Sequence, residues 1–186
     1  TKGIGGHNDA LIGVIAGEKD LIDAVWAYSV MHGASPSPHD ALNALRGLRT
    51  LGVRLQHQNT SALTIARSLE SHPRVVSVQH PFLESHAQHE LARRQMRFGG
   101  TVFAVELDGD FSACESFVSK LHIAHIATSF GGPETLVCHP ATSTHVGLEQ
   151  SELESLGVTA GLLRFSIGLE DADDLVDDIH QALSGL

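Results

Sequence analysis

From Gly99 onward, short apolar runs take turns with amphipathic helical stretches, and few chain topologies satisfy that order. "GTVFAVEL", "HIAHIAT" and "LLRFSIGL" have the length and apolar character of strands. Between them, "DFSACESFVSKL" sets Ala113, Phe117 and Leu121 four residues apart, as one helix face requires. "EDADDLVDDIHQAL" ends the pattern as a helix with Leu175, Val176, Ile179 and Leu183 inward and its acidic residues on the solvated face. The alternation predicts an α/β or α+β domain from roughly Leu55 to Leu186.

The first half is less regular. "ALIGVIAG", closed by Gly17, predicts a short buried strand. "EKDLIDAVWAYSVMHG" places Leu21, Ile22, Val25, Trp26 and Val30 near helical spacing, with acidic residues early and Gly33 beyond the end. Pro36 and Pro38 mark a turn, and Asp40 stands where an N-cap is expected. One or two long helices follow from Ala41 through Leu45, Leu48 and Leu55 to Leu69, with a kink or break near Gly47 and Gly52. "VVSV", bounded by Pro73 and Pro81, reads as a strand, and "FLESHAQHELARRQM" as a polar loop entering a short helix.

Composition narrows the function classes. With 42% hydrophobic and 18% charged residues the chain is expected to fold, and no apolar run approaches the ~20 residues that span a bilayer. A net charge of −10 argues against nucleic acid and anionic membranes as partners. Two cysteines make neither a disulfide framework nor a Cys-rich zinc site, so the expected compartment is reducing and cytoplasmic. The chain opens on Thr1-Lys2 without an initiator methionine or a preceding strand, which reads as a portion of something longer.

Three places could carry chemistry. Lys2 lies among Gly3, Gly5 and Gly6, whose backbone can approach a ligand closely, with the Thr1 hydroxyl beside it; an exposed terminal lysine is the plain alternative. Arg164 sits in an otherwise apolar strand, where a buried guanidinium needs an anion and its fork suits a carboxylate. An edge strand, or a pair with Glu170 or Asp171, would explain it equally well. Ser129 stands just before Gly131 and Gly132 in "TSFGGPETL", a ligand loop or a simple turn. His86 and His89 have two-ligand spacing, yet no third ligand or HExxH motif accompanies them, so no metal is expected. Cys138 and His139 adjoin in a strand and so point to opposite faces, a poor nucleophile pair.

Taken together, these segments resemble the C-terminal half of the Cys/Met metabolism family of pyridoxal-phosphate enzymes, which includes cystathionine γ-synthases, cystathionine γ-lyases and methionine γ-lyases. "TKGIGGHND" resembles the segment around the family's Schiff-base lysine, and "ALNALRGLRTLGVRLQHQNTSAL" the helix leading out of the cofactor domain. "HPFLESHAQHELARRQM" resembles the loop and helix after it, and "TSFGGPETLVCHPATSTH" and "LLRFSIGLEDADDL" the two substrate-carboxylate segments. The resemblance implies the C-terminal portion of a fold-type I PLP-dependent transferase, α/β overall. Residues 1–54 would be the end of the large cofactor domain and 55–186 the small domain with the carboxylate clamp.

It further implies pyridoxal 5′-phosphate as cofactor, Lys2 as the catalytic lysine and Thr1 as a contact to the cofactor phosphate. Arg164 and Ser129 would hold the carboxylate of a small amino-acid substrate, with Thr144 supporting the arginine. The implied reaction is γ-replacement on an activated homoserine, or γ-elimination in the alternative. The implied assembly is a homotetramer or a pairing with an upstream half. A non-catalytic fragment or split-enzyme subunit is the expectation from another class. Gly3 after the lysine, Thr128 before Ser129, and Phe130 in "SFGG" depart from common family residues, the last together with "GHND" leaning toward γ-synthases.

Overall fold

Strand-forming runs and helical faces sort into one sheet and its covering helices over most of the chain. The computed structural model describes residues 1–186, which fall into two compact units, Thr1–Gly52 and Val53–Leu186. Five strands, β1 (Val75–Gln79), β2 (Val102–Leu107), β3 (His125–Ile126), β4 (Leu136–Cys138) and β5 (Leu162–Ser166), form a single sheet. Their order is β1-β2-β5-β4-β3, antiparallel throughout except for the parallel β3–β4 pair at one edge. The helices are α1 (Lys19–His32), α2 (Pro38–Leu48), α3 (Leu51–Leu69), α4 (His89–Gln95), α5 (Phe111–Val118), α6 (Gln150–Ser155) and α7 (Ala172–Ser184).

Strand alternation divides the two faces of the sheet. Phe103, Val105 and Leu107 of β2 and Leu163 and Phe165 of β5 are buried. They form one cluster with Ala62, Ile65, Ala66 and Leu69 of α3, Cys114 and Phe117 of α5, and Leu175, Ile179, Ala182 and Leu183 of α7. The Phe165 ring stacks on Phe103 at 5.6 Å and meets Phe117 edge-on at 6.2 Å. Arg164 belongs to the opposite face, in register with Ala104 on one side and Cys138 on the other.

The acidic ending departs from its expected role at one residue. Asp173, Asp174 and Asp177 face solvent, but Asp178 is only 5% exposed. Its carboxylate accepts the backbone N–H groups of His122 at 2.8 Å, Ile123 at 2.9 Å and Ala124 at 3.3 Å, and the Gln181 amide at 3.2 Å. Burial pushes this carboxyl up, but the donated bonds outweigh burial and hold it below the usual carboxylate value. Asp171 caps α7 instead, accepting from Asp173 N–H at 2.9 Å.

The first unit corrects two expectations, the strand and the N-cap. Residues 10–17 form no strand and are largely exposed, because an apolar strand needs a ladder partner and this unit has none. Helix α1 forms as predicted but buries no residue, so Leu21, Trp26 and Val30 lie in solvent. The N-cap of α2 is Ser37, three residues before Asp40; Pro38 suits the first helical position because its missing N–H needs no partner there. Asp40 N–H donates to Ser37 Oγ at 3.0 Å. The expected break falls at Arg49–Thr50.

Candidate functional site

Arg164 lies on β5, the third strand of five, and so is not an edge arginine. Neither Glu170 nor Asp171 pairs with it. Glu170 is committed to Thr135, accepting its backbone N–H at 2.6 Å and its hydroxyl at 2.7 Å. The Arg164 guanidinium is half-buried and donates through Nη2 to the carbonyls of Thr128 at 2.5 Å and Ser129 at 3.2 Å, 5.9 Å from the centre of the Phe130 ring. Its Nε is buried without a partner. Two neutral carbonyls orient the fork but bring it no counter-charge. The arrangement can receive an anion.

The loop that supplies those carbonyls is held by polar groups at the end of β5. Gly131, at φ 77°, takes the left-handed turn a side chain would resist, and its N–H donates to Ser166 Oγ at 3.2 Å. Thr135 Oγ1 accepts the Gly168 N–H at 2.9 Å, and Gln58 of α3 donates to the Gly132 carbonyl at 2.9 Å. Gln58, Thr135 and Ser166 are not among the residues the sequence points to, and Glu170 enters there only as a possible partner of Arg164. Gln58 had a readable signal: it precedes Ala62 by four residues and Ile65 by seven, so it stands on the buried helix face.

Other candidates separate. Thr144 is exposed, and its hydroxyl pairs with His145 Nδ1 at 2.9 Å rather than with Arg164. The His139 ring bonds Thr142 at 3.0 Å and the Ala160 carbonyl at 2.9 Å, while Cys138 sits on the Arg164 face. His86 Nδ1 accepts the Gln88 N–H at 3.1 Å, a turn role, and no three His, Cys, Asp or Glu side chains converge in the fold.

In the first unit, Lys2 is exposed at the head of a tight turn in which its carbonyl accepts the Gly6 N–H at 2.8 Å. The turn is pressed against α2: a Cβ on Gly47 would stand 2.0 Å from the Gly5 carbonyl oxygen, so only glycine fits. Thr1 Oγ1 donates to the Ile12 carbonyl at 3.1 Å and accepts its N–H at 3.0 Å. Leu11 N–H reaches Asp40 at 2.9 Å, and Asn43 reaches the Asp9 carbonyl at 2.9 Å. The loop that carries Lys2 is thus pinned on both sides, and a lysine amine is the group to which an aldehyde cofactor could attach.

A mixed five-stranded sheet with its helices, following a first unit of loop and helix in the sequence, defines an α/β protein. Residues 1–184 match the model of the Cys/Met metabolism PLP-dependent enzyme family, and the chain belongs to that family. It is 43% identical to cystathionine gamma-synthase 1, chloroplastic, of Arabidopsis thaliana over 100% of its length and 33% of that protein's. It is 36% identical to an L-methionine gamma-lyase of Fusobacterium nucleatum subsp. polymorphum, over 98% of this chain and 47% of the relative. The crystal structure of cystathionine gamma synthase from Xanthomonas oryzae pv. oryzae in complex with aminoacrylate and cysteine superposes with a TM-score of 0.92 at 39% identity, over 98% of this chain and 48% of that one. The chain therefore spans a third to a half of the length of these relatives. Family membership makes pyridoxal 5′-phosphate the cofactor and bears out the α/β fold expectation. No helix is long and apolar enough to cross a membrane.

Proposed function

We propose that this chain is the lysine- and arginine-bearing part of a cystathionine γ-synthase-like enzyme, which exchanges the γ-substituent of an activated homoserine for a thiol. Residues 1–54 serve in this reading as the end of the cofactor domain and 55–186 as the substrate-clamping domain. When bound, the cofactor supplies the electron sink that acidifies the substrate α-carbon. Lys2 Nζ anchors it and, once the substrate amine takes its place, removes the α-proton and moves protons at the β-carbon so that the γ-substituent departs. The Arg164 fork receives the α-carboxylate, with Ser129 as a second contact. Thr144 joins the clamp only by giving up its bond to His145.

The observation that carries this reading is the Arg164 guanidinium, fixed by two carbonyls with no carboxylate of its own chain. A γ-lyase is the second reading, favoured by the 36% identity to a methionine gamma-lyase across almost the whole chain. A small amino acid is the substrate in both, and a cytoplasmic homo-oligomer, tetrameric or completed by a separate upstream half, is the proposed assembly.

The test is borohydride reduction of the protein from its native source, followed by peptide mapping. A reduced phosphopyridoxyl group on Lys2 is expected; a label on another lysine, or none, overturns the assignment. Supplying O-succinylhomoserine with cysteine then separates the readings, since cystathionine marks the synthase and 2-oxobutanoate formed with or without cysteine marks the lyase.

A further inference from the structure

Gln58 is 1% exposed on the face of α3 that otherwise carries Ala62, Ile65 and Leu69. A primary amide placed there must find partners. Its Nε2 donates to the Gly132 carbonyl at 2.9 Å and to the Ile167 carbonyl at 3.1 Å, so one side chain ties the glycine turn after Ser129 to the residue just beyond β5. Both neighbours are acceptors, which dictates the amide's orientation and leaves Oε1 buried with no partner. A side chain chosen only to fill the core would carry no such cost.

The turn needs the tether. Thr128 forms part of the wall of a cleft of about 410 Å³, together with Phe111, Cys114, Ile126 and Cys138, so this end of the loop lacks packing on its cleft side. Gln58 on Gly132 and Ser166 on Gly131 are among the groups that hold it. Three and four residues before Gly132, the carbonyls of Ser129 and Thr128 hold Arg164 Nη2. Gln58 also holds the carbonyl of Ile167, three residues along the chain from Arg164. Both segments that set the guanidinium therefore meet at one buried amide.

We infer that Gln58 is a positioning residue for the carboxylate clamp, fixing the Thr128–Gly132 loop so that the Arg164 fork is pre-aimed at an incoming carboxylate. The inference rests on the reading of Arg164 as that clamp.

The test uses the complete holoenzyme and two probes: L-norleucine, and pentylamine, which is the same molecule without its carboxylate. Binding is followed by the change in cofactor absorbance, independent of turnover. Gln58→Met keeps the bulk and removes both donated bonds. It is expected to weaken norleucine about tenfold and pentylamine less than twofold, by the loss of hydrogen bonds that steady a charged contact. Gln58→His, whose ring N–H can serve one of the two carbonyls, should fall between Gln58→Met and the unaltered enzyme, and it carries the test if the methionine variant does not fold. Unchanged norleucine binding, or equal weakening of both probes, overturns the inference. Arg164→Ala is run in parallel. If it leaves the preference for norleucine intact, the clamp reading fails and takes the inference with it. If it erases the preference while the Gln58 variants keep it, only the positioning role falls.

Discussion

At the scale of single residues, burial decides which groups can react. Cys114, on the buried face of α5, is 1% exposed, with its thiol 3.7 Å from the Ala160 carbonyl. Burial, and secondarily the charge of Asp110, pushes this thiol up to about 11, so almost no thiolate exists at neutral pH. Native protein at pH 8 should therefore leave Cys114 unlabelled by iodoacetamide over minutes, while denatured protein labels at once; rapid native labelling, read by peptide mass, would contradict the buried placement. Lys2, Ser129 and Arg164 were readable because each breaks its local pattern: a lysine amid glycines, a hydroxyl before a glycine turn, a cation within an apolar strand. What holds Arg164 was not readable. Its acceptors are backbone carbonyls of Thr128 and Ser129, and every residue offers a carbonyl, so no side chain announces the contact.

At the scale of elements, legibility followed length. β2, β5, α5 and α7 are long enough to show their period; β3 lies inside the expected strand "HIAHIAT" but keeps only two of its residues, and the three-residue β4 is not among the strands the sequence predicts. Length did not reveal Asp178, which sits on the buried side of α7 and clamps the backbone N–H groups of residues 122–124 ahead of β3, partners that no side chain announces. Because its carboxyl is held below the ordinary 3.8, its stabilising effect is present above that value and is lost as pH falls through the lower folded value. Asp178→Asn should thus lower unfolding free energy at pH 7 by about 1–3 kcal/mol, the cost of leaving buried donors unmet. In urea titrations the gap between variant and parent should shrink steadily below pH 3.8. A gap of constant size across that range would mean that the charge of Asp178 does not matter.

At the scale of the whole molecule, the two units differ in what they bury. The unit Val53–Leu186 encloses a continuous cluster built from α3, the sheet, α5 and α7. The unit Thr1–Gly52 leaves Leu11 at 78%, Val14 at 73%, Ile15 at 67% and Trp26 at 67% exposed, and α1 buries nothing. Apolar burial is the main term offsetting chain entropy, so the second unit has the means to fold by itself and the first does not. Residues 53–186 made alone should unfold in one cooperative step and sediment as a monomer at micromolar concentration. Residues 1–52 alone should show little helix by circular dichroism. The 186-residue chain should self-associate through its exposed apolar residues, and its single tryptophan reports on this directly. At high dilution acrylamide should quench Trp26 almost as freely as it quenches an unstructured peptide, and quenching should weaken as concentration rises and neighbours cover the ring. Strong shielding at every concentration, with a monomeric sedimentation coefficient, would show that the chain itself covers α1.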